Sequence, residues 1–358
     1  MASGSILKSK FFNILLICAF FLAAGLFPKP VSAQESKENK FDAKKTILEH
    51  ISDSHSWPFN FPFVKEKHIP LPIILYTDKG FEIFSSAKVT TEDTTKDKGI
   101  YQGAYHNYKL AENKIVVLNA LGSIDEAASK KVFDFSITRN VVSMFMSMAI
   151  LLIVFLSISS SYKKREGKAP KGLQSFLEPL IVFVRDDIAM PNMGIKYARF
   201  MPLLLTVFFF ILINNLLGMI PIFPGGFNLT GNIAVTAVLS VIIFLVVNLN
   251  GNKYYWKHIF VPNPWWLFII MIPVEVVGIF SKPIALMIRL FANITAGHIL
   301  ILSLISLIFI LNTIWVSPVS VVFVVFMDAI ELLVAFLQAY IFTLLSALFI
   351  GMAIEEHH

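Results

Sequence analysis

From Val141 onward the chain is built of long apolar runs separated by short polar connections, whereas residues 34–135 mix polar, charged and short apolar stretches. The run Val142 to Ile158 is long enough to cross hydrocarbon, and Lys163, Lys164, Arg165, Lys168 and Lys171 behind it mark a cytoplasmic side. Leu173 to Ile188 interleaves apolar positions with Glu178, Arg185, Asp186 and Asp187. That pattern is too polar to span and predicts an amphipathic helix at the interface, ended by Pro191. Two ordinary spans follow, about Phe200 to Ile220 and Ile233 to Leu249. Their connection, Pro221 to Gly231, carries no Lys or Arg and is expected to face outward. Lys253, Lys257, Trp256, Trp265 and Trp266 in the next connection suit a cytoplasmic interfacial belt.

The last two apolar segments exceed a simple span. As continuous helices, Leu267 to Asn312 would reach about 69 Å and Val319 to Ile354 about 54 Å, against a hydrocarbon core of about 30 Å. They must tilt, bend or run partly along the membrane, and Pro273 and Pro283 can bend the first. The Asn312 to Pro318 connection has no Lys or Arg, so this hairpin turns outside and returns the C-terminus to the cytoplasm. The fold predicted is an all-α polytopic membrane protein with about five transmembrane helices and one interfacial amphipathic helix, the last two helices long and strongly tilted.

Ahead of the spans, Lys8 and Lys10 precede an apolar run from Phe11 to Phe27, and Val31-Ser32-Ala33 offers a small-residue cleavage site. This predicts a cleaved signal peptide over 1–33, the alternative being an uncleaved first helix. Residues 34–135 then form a small extracytoplasmic region, and 136–358 the membrane domain. The apolar runs around Asp78-Lys79-Gly80, within Ile73 to Ser86, predict a β-hairpin. His50, His55, His68 and His106 show no metal-ligand spacing and read as solvated or locally bonded.

Composition agrees with lipid as the main solvent: of 358 residues, 56% are hydrophobic and 15% charged, and 34 are Phe. The net charge of +6 belongs to cytoplasmic loops under that topology and does not point to nucleic acid. The single cysteine, Cys18, lies in the predicted signal, so the mature chain has neither disulfides nor thiol chemistry.

Candidate chemistry centres on Arg289, deep in an apolar run with no cationic neighbour within one turn. An arginine at membrane depth costs at least about 2.5 kcal/mol, and snorkelling, its bland alternative, suits a helix end better than this position. Asn293 and Gly297 follow at i+4 and i+8, and Ala285, Ala292 and Ala296 keep nearby positions small. Such a face fits close helix packing or a partner that slides past. On the last helix Asp328, Glu331, Ala335 and Gln338 share a side. If Gln338 lies level with Arg289 in an antiparallel pair, Glu331, about 10 Å outward, lies near His298, about 13 Å outward. Such an acid and imidazole can relay a proton or form a static ion pair. Toward the cytoplasm, Glu275 and Lys282 fit a wet vestibule or a solvated helix end.

The run Ser281-Lys282-Pro283-Ile284-Ala285-Leu286-Met287-Ile288-Arg289-Leu290-Phe291-Ala292-Asn293-Ile294-Thr295-Ala296-Gly297-His298 resembles the signature of subunit a of F-type ATP synthases. Glu178-Pro179-Leu180, the run from Asn214-Asn215 to Pro221, and Leu337-Gln338-Ala339-Tyr340-Ile341-Phe342 are similar to other segments of that family. The resemblance covers roughly Ser136 to the C-terminus. It implies a non-catalytic, proton-translocating stator subunit with two offset half-channels, one copy per complex, in a bacterial inner membrane. It implies c-ring subunits, b-type peripheral stalk subunits, lipid and protons as partners, with no cofactor, metal or nucleic acid. Arg289 would face the ring carboxylates with Gln338 beside it, Glu275 would serve the inner path, and His298 and Glu331 the outer. That acid and histidine are exchanged relative to many bacterial members, and Gly278 stands where some members carry a hydroxyl. The main rival, an ion-coupled secondary transporter, usually shows paired repeats, which this sequence lacks. Neither a zinc-protease His-Glu-x-x-His nor a Gly-x-Ser-x-Gly elbow nor a phosphate-binding Gly-x-x-x-x-Gly-Lys occurs.

Overall fold

The computed structural model describes residues 52–59, 67–89, 99–111, 114–119, 122–165, 167–220, 225–226, 229–260, 268–311 and 316–355. The predicted signal peptide, His50, most of the Pro221 to Gly231 connection, Trp265 with Trp266, and the start of the Asn312 connection lie outside the described residues.

The N-terminal region contains more strand than one hairpin. Its strands are β1 (Ser56–Phe59), β2 (Lys67–Pro70), β3 (Pro72–Thr77), β4 (Gly80–Ser85), β5 (Ile100–Gln102), β6 (Asn107–Ala111), β7 (Lys114–Leu118) and β8 (Phe133–Asp134). A single turn of helix, α1 (Glu126–Ser129), precedes β8, with Asp125 capping it through Ala128 N. The strands form three small antiparallel sheets, β1-β2, β4-β3-β8 and β5-β6-β7. Alternation sorts β3 and β4 cleanly: Ile73, Leu75 and Phe84 are buried with Tyr108, Ile115 and Val117 of the neighbouring sheet. Between β3 and β4 the chain reverses over Asp78 and Lys79, and Gly80 takes φ 139°, a conformation other residues rarely adopt. Glu82, pointing inward, is satisfied by Tyr105 N at 2.7 Å and Tyr108 Oη at 3.1 Å. These strands are two to six residues long, too short to impose a lasting period on so polar a sequence.

The membrane part begins with α2 (Arg139–Lys164). Its N-cap Thr138 makes no side-chain capping bond. The orphan N–H groups are instead taken by the preceding region: Arg139 N donates to Ser54 O at 2.9 Å and Asn140 N to Asp53 Oδ1 at 3.1 Å. The Arg139 guanidinium also donates to Ser52 O at 2.7 Å.

Next come α3 (Leu173–Phe183), a widened π turn over 184–189, and α4 (Met190–Met193). Gln174, Leu177, Val184, Ile188 and Ala189 are buried, while Arg185 and Asp186 pair with each other at the exposed side. Pro191 does not end this element as the sequence suggested. It enters near the start of a new turn, where its missing N–H is tolerated, and the break comes at Gly194, with φ 51°.

Four longer elements complete the bundle: α5 (Tyr197–Met219), α6 (Ile233–Leu249) with the short α7 (Lys253–Phe260), α8 (Phe268–Leu311) and α9 (Val316–Ile354). Pro273 and Pro283 lie inside the uninterrupted α8. Helix α9 begins earlier than the sequence suggested, placing Pro318 in its first turn, where proline is tolerated. Helices α5 and α8 each pack on α9, and α6 packs on α8. The core joins Leu204, Phe208, Phe209 and Ile211 of α5, Leu286, Leu290 and Ile294 of α8, and Ala339, Phe342, Ala347 and Ile350 of α9. Among the described residues, four helical stretches are long and apolar enough to cross a membrane, and α6 with α7, bent by 99°, can supply a fifth.

Candidate functional site

Helix α8 buries Leu286, Leu290 and Ile294, spaced by four, against the core. Turning that stripe inward carries Ala285, Arg289, Ala292, Asn293 and Ala296 to exposed positions. Among the described residues no carboxylate lies within ion-pair distance of Arg289, and the exposed positions around it on its own helix are small or apolar apart from Asn293. On α9, Gln338 is buried, with buried Ala335 and Ala339 on either side of it in the chain.

Further along the hairpin, His298 Nδ1 lies 2.8 Å from Glu331 Oε1. Both side chains are mostly enclosed, with 17% and 11% exposure, so the contact is shielded from bulk solvent while remaining reachable. The antiparallel pairing therefore brings together the two residues that helical rise placed at similar levels. Gly297 lies against the carboxylate: a Cβ there would stand 3.4 Å from Glu331 Oε1, an ordinary contact distance. Asp328, one turn away from Glu331, is exposed.

A cavity of about 50 Å³ adjoins this pair, lined by Asn215, Asn293, Gly297, Glu331 and Ala335 among others. Its size admits a few water molecules, and its amide and carboxylate groups can hold them. Asn215 is the site residue that spacing arguments missed. Its Nδ2 donates to Ala335 O at 3.2 Å, and its Oδ1 accepts from Thr230 Oγ1 at 2.6 Å. The neighbouring Asn214 Nδ2 donates to Phe210 O at 2.8 Å, while its buried Oδ1 has no partner among the described residues. Two adjacent asparagines in an otherwise apolar helix were the available signal, because a buried amide must find partners in a membrane.

At the opposite end of α8, Glu275 Oε1 lies 3.8 Å from His258 Nδ1 of α7, and the His258 side chain is 71% exposed. Lys282 Nζ stands 5.4 Å from the centre of the Phe349 ring. Nothing approaches the position a Cβ on Gly278 would take. The polar groups thus fall into two sets, His298–Glu331 with its cavity and Glu275–His258, separated along α8 with Arg289 between them. Among the described residues no group of His, Cys, Asp or Glu is arranged to hold a metal ion.

The sequence profile of the ATP synthase A chain family matches residues 141–351. A second profile, for a domain of unknown function (DUF8433), matches residues 46–135. ATP synthase subunit a of Chloroherpeton thalassium is 50% identical over 233 residues, covering 63% of this chain and 69% of that protein. ATP synthase subunit a 2 of Prosthecochloris aestuarii is 50% identical over 228 residues, covering 62% and 69%. ATP synthase subunit a of an Anaeromyxobacter species is 44% identical over 233 residues, covering 63% and 56%.

Proposed function

This chain belongs to the ATP synthase A chain family and is the proton-translocating stator subunit of an F-type membrane sector, and from that premise we propose which residues carry the proton and how. It is a multi-pass bacterial membrane protein working within a multisubunit complex. The observation that carries the residue-level reading is the enclosed His298–Glu331 contact at 2.8 Å, beside a mostly apolar cavity into which Asn215 and Asn293 bring amides, Asn293 lying one helical turn beyond Arg289.

In this reading the outer path runs past Asp328 to His298 and Glu331. The acid and the imidazole exchange a proton with water held between Asn215 and Asn293, and from there it reaches a carboxylate on a rotating ring of c subunits. Once neutral, that carboxyl group can enter lipid, which an ionised one could do only at a large energetic penalty. After a near-complete turn it meets the inner path, where Glu275 accepts the proton. Arg289, between the two paths, holds each passing carboxylate in its ionised form and bars a direct proton wire. Gln338, beside it, hydrogen-bonds without adding charge. Neither path crosses the membrane alone, so protons move only as the ring turns. The subunit itself then performs no covalent chemistry and needs neither cofactor nor metal.

The remaining assignments follow the same reading. Residues 1–33 form a cleaved signal peptide, 34–135 an extracytoplasmic region, and 136–358 the membrane domain, with the C-terminus cytoplasmic and the two terminal helices strongly tilted. One copy works per complex, beside the ring and b-type stalk subunits.

The test replaces Arg289 with Ala in the assembled complex and measures ATP-driven proton pumping in vesicles, with ring co-purification as the assembly control. Pumping is expected to vanish while assembly persists. Undiminished pumping would sink the stator-charge reading and return an ion-coupled transporter to consideration.

A further inference from the structure

The sheet β4-β3-β8 has two apolar faces, although only one of them lies in the core. Ile73, Leu75 and Phe84 point inward and are buried. Strand alternation sends Ile74, Tyr76, Phe81, Ile83, Phe133 and Phe135 the other way, and the register makes them neighbours: Ile74 opposite Ile83, Tyr76 opposite Phe81, and Tyr76 beside Phe133. Phe81, Ile83, Phe133 and Phe135 are 66%, 70%, 61% and 62% exposed, far more than a water-facing sheet tolerates as one patch. The Tyr76 and Phe81 rings lie 4.7 Å apart and pack as an aromatic pair within the patch.

This face is tied to a membrane span. The chain leaves β8 extended, with Phe135 N donating to Ile74 O at 2.9 Å and Ile137 N to Pro72 O at 3.1 Å, and α2 begins at Arg139. Phe135 is therefore within about 14 Å of chain from the first residue of a transmembrane helix. The bonds from Arg139 and Asn140 to Ser52, Ser54 and Asp53 fix the region to that helix end. Below it, Phe145, Met148, Leu152, Ile153 and Leu156 of α2 are themselves exposed and apolar, as a lipid-facing surface is. Lys79, Lys130 and Lys131 at the rim of the patch are exposed and can reach lipid phosphates. Aromatic rings with lysines around them are what bilayer interfaces retain.

We propose that the outer face of β4-β3-β8 lies on the lipid bilayer, continuing the lipid contact of α2 into the headgroup layer and holding the N-terminal region flat against the membrane. The occupant is lipid rather than another protein or a further segment of this chain.

The test uses the purified intact complex in vesicles of phosphatidylethanolamine and phosphatidylglycerol. In a complex whose other subunits have had their cysteines replaced, a nitroxide is attached at Phe81→Cys, at Ile83→Cys, and at Lys109→Cys as the control on an exposed site elsewhere in the region. Collisions with oxygen, which concentrates in lipid, are compared with collisions with a water-soluble nickel chelate. The oxygen-to-nickel ratio is expected to be several-fold higher at 81 and 83 than at 109. Nickel access at 81 and 83 equal to that at 109 would overturn the proposal by placing the face in water. Low access to both reagents would overturn it too, by placing protein there. Two independent label sites keep the reading decisive if one variant assembles poorly.

Discussion

His298 and Glu331 are 33 residues apart and meet at 2.8 Å because two antiparallel helices bring equal distances from their turn to one level. Replacing Glu331 with Gln keeps the shape but removes the titrating oxygen. ATP-driven pumping in vesicles should then fall by about a hundredfold, the lower end of what a positioned acid–base group contributes, with ring assembly intact. Exchanging the pair, His298→Glu with Glu331→His, should recover part of what either single change loses. A purely structural ion pair would instead leave pumping in assembled single variants unchanged. This contact was legible in the sequence because helical rise is constant and both groups are ionisable in an apolar run. The partner of Asn215 was not, since the amide donates to the backbone of Ala335, and a carbonyl exists at every position and leaves no mark in the side-chain pattern.

At the scale of elements, apolar run length located the spans, because hydrocarbon demands it irrespective of tertiary detail. The turns were less legible. The 99° corner between α6 and α7 depends partly on Asn252, whose N–H donates to Ala353 O of α9 at 2.8 Å, a partner a hundred residues away. The break at Gly194 rather than Pro191 likewise depends on the widened turn ahead of it, which periodicity cannot show. The end of α9 is held by a similarly distant fit. A Cβ on Gly351 would run into the Asn192 carbonyl of the α4 segment, and backbone on both sides leaves little room to yield. Gly351→Val should therefore destabilise the packing of α9 on α4, by about 1–3 kcal/mol if the overpacking is partly relieved. Lowered thermal stability of the detergent-solubilised complex, with Leu348→Val on the exposed side as a near-neutral control, would register it.

Across the whole molecule, the N-terminal region and the membrane bundle are joined where residues 52–54 cap α2, and His55 Nε2 lies 3.2 Å from Asp134 Oδ2 just beside that joint. Burial pushes the Asp134 carboxyl up, but hydrogen bonds from His55 and from the Ser136 side chain and backbone outweigh it and hold the group below its usual range. A carboxyl depressed by folding stabilises the folded form above its ordinary pKa, about 3.9, and loses that contribution as pH falls through the lower folded value. Protection against amide exchange over residues 133–139, measured relative to the intrinsic rate at each pH, should therefore fall on acidification below about pH 4, more steeply than in Asp134→Asn. The core positions of this region were hard to read from sequence because its strands are so short. Its one legible hairpin had glycine at the turn and alternating neighbours. The bundle has a different character: only 11% of the apolar window of α8 is buried within the chain, against 50% for the stretch containing α5. If the ring passes along that uncovered side, Ala285, Ala292 and Ala296 give it a low-friction track. Each pair of touching atoms is worth about 0.1–0.2 kcal/mol, so methyl-sized ridges make shallow ripples. A unit charge falling through 100 mV delivers about 2.3 kcal/mol. The bearing is then smooth enough for the voltage, and not the grip between surfaces, to set the pace of rotation.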